Sequence, residues 1–250
     1  MCMETHVRDI SARSSLSRTA VARRSGVHRS TLYRALDGSS DIRLETLEEI
    51  ALAYGLQAQL SYVPLSDPVA ADAARILFEG DHGETITPDL DAWMQRLQRY
   101  AGELASPIDL ALEAARASTL LERRGALGMR GDFTVDRLAS AGYATGEVWA
   151  LSGSAALEAL DGGDPDEAPV NILWTSQPQK AMQLLADTGR PAPRGLGSAD
   201  LILAEPSDIA FHGRNTIEGI SLVSPVQAII DNLGLHDQQR DRAISIARAW

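Results

Sequence analysis

Cysteine is nearly absent from this chain. Cys2 is the only one, so no disulfide can form within it, and that usage fits a reducing compartment. Long apolar runs are missing too: none approaches the roughly 18 residues that a membrane span needs. The opening residues Met1-Cys2-Met3-Glu4-Thr5-His6 lack the basic-then-apolar layout of a secretory signal. The expectation is a soluble, cytoplasmic protein with no membrane partner. Metal-ligand spacing is lacking among the five histidines, His6, His28, His82, His212 and His236, and the one Ser-Gly-Ser stretch, Ser152-Gly153-Ser154, has no lysine to make it a phosphate loop. No cofactor and no metal are expected. Lysine is represented by Lys180 alone among 23 basic residues, which reads as coding bias more than chemistry. No internal repeat or low-complexity tract occurs.

What is present is ample for folding. The 250 residues are 44 % hydrophobic, enough for one large or two ordinary domains with a buried core. The net charge of −11 argues against nucleic acid in bulk, yet its distribution reverses that reading. Residues 1–60 hold eight arginines against seven acids, whereas residues 61–250 hold 15 basic and 27 acidic residues. From Arg13 to Arg34 there are six arginines and no acid. A local basic stripe on an acidic chain is an electrostatic footprint, and the acidic remainder restricts contact with DNA to one face.

The stripe lies on a helix–turn–helix pattern. Leu16 to Ser25 reads as a short amphipathic helix with Val21 and Ala22 inward and Arg18, Arg23 and Arg24 outward. Gly26 supplies the left-handed turn residue, and Val27 plugs the turn. His28 or Arg29 opens a second helix running to Leu36, with Leu32 and Leu36 at i, i+4 on its buried side. Asp37-Gly38-Ser39-Ser40 breaks it. Another helix follows from Leu44 to Tyr54, with Leu44, Leu47, Ile50 and Ala51 at helical spacing and Gly55 as its cap. This layout places a second helix in the DNA major groove. The solvent side of that helix carries Arg29, Ser30, Thr31, Tyr33 and Arg34. Arginine pairs bidentately with guanine, and hydroxyls donate to phosphates or base edges. Arg18 is placed to meet a phosphate, and His28 joins as a capping or reading residue. A plain helical bundle with a solvated arginine side is the bland alternative; it explains neither the glycine-turn spacing nor the acid-free stripe.

The run Ala22-Arg23-Arg24-Ser25-Gly26-Val27-His28-Arg29-Ser30-Thr31-Leu32-Tyr33-Arg34, followed by Leu44-Glu45-Thr46-Leu47-Glu48-Glu49-Ile50-Ala51-Leu52-Ala53-Tyr54-Gly55, resembles the lambda-repressor/Cro-type (XRE) helix-turn-helix over about 45 residues. Two positions depart from that family: Arg18 stands where glutamine is frequent, and His28 where serine is, which weakens the expected N-cap. The resemblance implies a sequence-specific regulator, most simply a repressor, whose partner is a double-stranded DNA operator and which acts as a homodimer.

Pro64-Leu65-Ser66-Asp67-Pro68 closes this module. Helices are expected over Val69–Phe78, 88–103 and 107–123. Leu90, Trp93, Met94, Leu97 and Tyr100 form one stripe, and Leu110, Leu112, Ala115, Leu120 and Leu121 another. From about residue 145 helices alternate with short apolar runs: a helix over Leu151–Leu160, strands over Val170–Trp174, Ala199–Ala204 and Thr216–Val223 (bent at Gly219), helices from Gln177 to Ala186 and from Pro225 to Ile230, and a closing helix over Gln238–Trp250. Mixed strands and helices indicate an α+β or α/β domain.

Two resemblances are found there. Leu151 to Leu157, Gly219 to Leu233 and the Ala243-Ile244-Ser245-Ile246-Ala247 helix resemble the C-terminal domain of AbiEi-type antitoxins, which implies a cognate toxin as partner. That family carries a winged helix-turn-helix, unlike the N-terminal module here. The region also resembles nucleotidyltransferase-fold proteins, which place Gly-Ser on a helix and then two metal-holding carboxylates on a strand. Ser152-Gly153-Ser154 fits the first part. The strand Val170-Asn171-Ile172-Leu173-Trp174 has no carboxylate, Asp200 alone could stand for the third acid, and Asp161, Asp164, Asp166 and Glu167 are wrongly spaced. A non-catalytic, binding version of that fold is expected, with a toxin or a small-molecule effector as its partner. The fold class expected is therefore mixed α+β: an all-α helix-turn-helix domain (1–65), a helical linker or dimerisation segment (66–130), and a mixed α/β regulatory domain with a small sheet (131–250).

Overall fold

The computed structural model describes residues 15–37, 42–59, 62–80, 85–103, 105–162, 171–207, 209–217 and 219–249. The chain divides into two units between Val63 and Pro64. The smaller contains α1 (Arg18–Ser25), α2 (Arg29–Asp37) and α3 (Leu44–Ala53). Val21, Ala22, Leu32, Ala35, Leu36, Ile50 and Ala53 form its core, with Val27 and Leu47 packed against it. Leu44, expected inside, is 45 % exposed: it starts its helix, one turn before the residues that meet α1.

The larger unit begins with three helices, α4 (Pro68–Glu79), α5 (Pro88–Ala101) and α6 (Pro107–Ser118). Each has proline in its first turn, where the missing N–H costs nothing. Asp67 and Thr87 cap α4 and α5, accepting from Val69 N and Leu90 N. On α6, Ser106 and Asp109 form a reciprocal capping box. Eight alanines of α4 and α6 are buried between helices, beside Leu90, Trp93 and Leu97 of α5. Met94 only packs against this core and Tyr100 is exposed, so the α5 stripe is narrower than its spacing suggests. The same core takes in Ile229, Ile230 and Leu233 from the C-terminal part of the chain. A bare linker role therefore does not fit residues 66–130, which are built into the larger unit.

A mixed seven-stranded sheet follows: β1 (Leu127–Gly131), β2 (Trp149–Gly153), β3 (Asn171–Thr175), β4 (Gly189–Pro191), β5 (Leu201–Ala204), β6 (Asn215–Ile217) and β7 (Ile220–Leu222), in the order β4-β1-β5-β3-β2-β7-β6. Pairs β2–β7 and β3–β5 are parallel and the rest antiparallel. The central strands β2, β3 and β5 are buried on both sides. Their odd-numbered residues Leu151, Leu173, Leu201 and Leu203 meet α7 (Val135–Thr145) and α9 (Pro178–Leu184). Their even-numbered residues Ala150, Ile172, Trp174, Ile202 and Ala204 face α8 (Ser154–Asp161) and α10 (Pro225–Leu233). The last helix is α11 (Asp237–Ala247), tied to α8 by Arg242, which pairs with Glu158 and Asp161.

Three sequence expectations change. Leu151–Leu160 is not one helix: it opens as β2, and Gly153, at φ 72° and ψ −144°, turns the chain into α8. A short apolar run buried on both sides carries no period that separates strand from helix. Residues 216–223 are a hairpin rather than a bent strand, with Ile217 opposite Ile220 and Gly219 at φ 85°. The elements β1, α7 and β4 were not expected from the sequence. Gln177–Ala186 is shortened to α9, and the predicted loop from Asp161 onward lies largely outside the described residues.

Candidate nucleic-acid interface

The turn between α1 and α2 is held by its own side chains. Ser17 caps α1, its Oγ accepting from Ala20 N at 3.2 Å. Gly26 ends α1 at φ 67°, a conformation that costs other residues about 1–2 kcal/mol. The buried Ser25 hydroxyl donates to Ala22 O and accepts from Val27 N at 3.3 Å. His28 then does what the weakened cap left open. Its Nδ1 lies 2.8 Å from Ser30 Oγ and accepts from Ser30 N at 3.4 Å. An imidazole nitrogen so placed satisfies an N–H of the first turn of α2, as a serine oxygen would.

Beyond the turn, α2 presents one continuous polar face. Arg29, Ser30, Tyr33 and Arg34 are all exposed, while Leu32, Ala35 and Leu36 are buried on the opposite side. Positions i, i+1, i+4 and i+5 share a face. Thr31 is half-buried at its flank. The arginines are pre-positioned. Arg29 Nη2 donates to Thr19 Oγ1 at 2.7 Å, joining the starts of α1 and α2. The Arg18 guanidinium lies 5.0 Å from the Tyr33 ring centroid, a cation–π contact. Arg34 Nε donates back to Ser30 O at 3.4 Å. Arg18 also faces Tyr54, whose hydroxyl is pushed above its ordinary range by burial and partly lowered again by that charge. The structure thus brings Arg18, His28, Arg29, Ser30, Thr31, Tyr33 and Arg34 to one surface of a single small unit.

Sequence reasoning missed two contributors. Thr19 orients Arg29 and carries no signal of its own. Ser17 stands directly before the first helical residue and was readable as an N-cap. Arg23 and Arg24, exposed in the last turn of α1, add positive charge at the C-terminal end of the helix dipole.

A family model described as a helix-turn-helix domain matches residues 6–61. The smaller unit is a helix-turn-helix domain, which supports a DNA-binding regulator. Neither the comparison with curated proteins nor that with solved structures returned a match. Among the described residues no helix is long and apolar enough to cross a membrane.

The larger unit has its own concentration of buried polar groups. Ser152 on β2, Trp174 on β3 and Gln227 on α10 all donate to the Asp231 carboxylate, at 2.6, 2.9 and 2.8 Å. Desolvation pushes the Asp231 carboxyl above its ordinary range, against these donors and the nearby Arg123 charge. Asn232 Nδ2 donates to Gly153 O and Ala228 O. Of the residues that carry the antitoxin resemblance, Leu151–Leu157 and the Pro225–Leu233 part of Gly219–Leu233 are therefore mostly core, holding α10 against β2 and β3. At the Gly153–Ser154 turn the side chain present on β3 is Asn171, whose Oδ1 accepts from Ala155 N at 3.2 Å. Asp200 lies one strand further on, bound to Gly131 N and Arg130.

Proposed function

We propose that this chain is a sequence-specific transcriptional repressor that binds its operator as a two-fold dimer, α2 lying in the major groove, with the larger unit acting as a receptor for an effector or protein partner. The observation that carries this reading is the polar face of α2, where Arg29 and Arg34 project from a helix whose opposite side is fully buried. A B-DNA major groove, about 12 Å wide, admits one such helix. Arg29 and Arg34 are the base readers in this reading, Ser30, Thr31 and Tyr33 the flanking contacts, and Arg18 the phosphate contact at the start of α1. The cap on α2 by His28 sets the angle at which that helix is presented.

Binding of the full-length protein to DNA from upstream of its own gene tests this. Arg29→Ala and Arg34→Ala should each weaken operator binding by about 1–3 kcal/mol, the range for a bidentate base contact. Operator half-sites should be spaced about 34–36 Å, one helical turn. Unchanged affinity in both variants would remove α2 as the reading element.

The finer role of antitoxin is supported by the resemblance of residues 151–157 and 219–233 alone. Co-expression with the product of the adjacent gene tests it: rescue of growth that needs residues 64–250 supports the role, and no rescue removes it. The competing reading as a nucleotidyltransferase is weakened by β3, which offers Asn171 and Leu173 where that chemistry needs paired carboxylates. Transfer of label from nucleotides, lost in Asp200→Ala, would restore it.

A further inference from the structure

Although the larger unit is strongly acidic, two of its arginines face each other across one strand pair. In the antiparallel β1–β4 ladder Arg130 is the direct partner of Arg190. Side chains so opposed leave the sheet on the same side, with Cβ atoms about 4.5–5.5 Å apart, and like charges there are destabilising. The backbone on either side of the pair packs closely. A Cβ on Gly131 would come within 2.5 Å of Thr188 O, and one on Gly189 within 2.3 Å of the Phe133 ring.

Charge around the pair is only half balanced. Asp200, just before β5, continues the row: its Oδ2 accepts from Gly131 N at 3.0 Å and lies 3.5 Å from Arg130 Nε. Asp187 is committed elsewhere, to Arg137 and to the Thr188 hydroxyl, which hold its carboxyl below the ordinary range. Arg190 is exposed and has no ion pair among the described residues. Arg130, Arg190, Asp187, Asp200 and Thr188 line an open cleft of about 490 Å³, within the size range of small-ligand sites.

We propose that this cleft binds the phosphate group of a small phosphate monoester, with Arg190 as principal contact and Arg130 as the second. A phosphate carries close to two charges near neutral pH and three acceptor oxygens, so it can balance Arg190 and still accept from Arg130 beside Asp200. A carboxylate offsets one, as Asp200 already does. The guanidinium fork matches phosphate geometry. Asp187 and Asp200 at the rim disfavour a polyanion such as nucleic acid and offer acceptors for hydroxyls on the organic part of a small ester. The proposal gives a chemical class to the effector role suggested for this unit. It is tested without operator DNA, so its failure leaves the operator reading untouched.

The test compares thermal unfolding and calorimetric titration of the full chain in phosphate, AMP and chloride at matched ionic strength. Phosphate and AMP should stabilise the wild type where chloride does not. Arg190→Gln should raise the melting temperature in chloride, because the like-charge contact is gone, and should weaken binding of both probes about tenfold or more, as expected for one lost charge-assisted contact. A merely structural arginine would move the melting temperature the other way. Arg194→Gln, an exposed neighbour outside the cleft, should leave binding unchanged. The proposal is overturned if neither probe binds at millimolar concentration, if Arg190→Gln binds both as the wild type does, or if duplex DNA without an operator competes for the Arg190-dependent site.

Discussion

At Asp231 a single carboxylate gathers donors from two strands and its own helix. Ser152 and Trp174 reach one oxygen and Gln227 Nε2 the other, while the Gln227 Oε1 atom is buried with no hydrogen-bond partner among the described residues. This arrangement accommodates a proton. Turning the Gln227 amide over lets a protonated Asp231 donate to Oε1, with the other two bonds kept. Asp231→Asn can do the same with its amide N–H, and should fold with near wild-type stability. Asp231→Ala strands three buried donors at about 1–3 kcal/mol each, and should cost at least 3 kcal/mol in denaturant unfolding. The pH dependence follows from the direction of the shift. The folded-state pKa is raised above the ordinary value of 3.8, so the carboxyl's stabilising contribution is full below 3.8 and is lost as pH rises through the folded value. Wild-type melting temperature should therefore fall relative to Asp231→Asn as pH climbs from about 4, and the gap should then stay constant; a gap independent of pH contradicts the raised pKa. In the smaller unit Gly26→Ala meets no steric obstacle, yet at φ 67° it should cost about 1–2 kcal/mol of that unit's stability.

Elements differ in how far they could be read in advance, and the reason is where each gets its stability. In α1, α2 and α3 the turn glycine and the apolar period agree, so their limits fall within two residues of expectation. The strand β2 was hidden because Leu151-Ser152-Gly153 is buried on both sides and runs directly into α8. The helix α7 was hidden for a different reason: after Val135 and Leu138 its inward side is Ala139, Ala141, Gly142 and Thr145, small residues that give a weak apolar signal and are chosen by a neighbour. That neighbour is Trp149 on β2, against which a Cβ on Gly142 would lie 2.4 Å away. Gly142→Ala should therefore destabilise the larger unit by about 1–3 kcal/mol through overpacking, although alanine is the better helix former. Unchanged or increased stability would mean that α7 and β2 can separate at little cost. The DNA-facing residues were legible as a set because exposed arginines on a helix after a glycine turn need no tertiary knowledge. The Arg130–Arg190 pair was not, because it depends on the register of two strands that the sequence does not advertise.

For the molecule as a whole, the division of charge makes DNA binding local. With 27 acids against 15 basic residues beyond residue 60, the counterion-releasing contacts of the proposed complex are those of the smaller unit. Operator affinity should fall linearly with log salt, and each phosphate contact removed should reduce the slope by about 0.9. Arg18→Gln should lower the slope by about that amount and weaken all sequences equally, whereas Arg29→Ala should change which base is preferred at one position. A variant set in which both substitutions act alike would contradict this separation of roles. The alanine-rich packing of α4 against α6 carries one more implication. Alanine has no side-chain rotamers to freeze, so this interface loses little conformational entropy on ordering. It also has no flexible side chain that could make room. A neutral drift of sequence should thus be rare at Ala70, Ala73, Ala74 and Ala114, all fully buried, and frequent on the outer sides of the same helices.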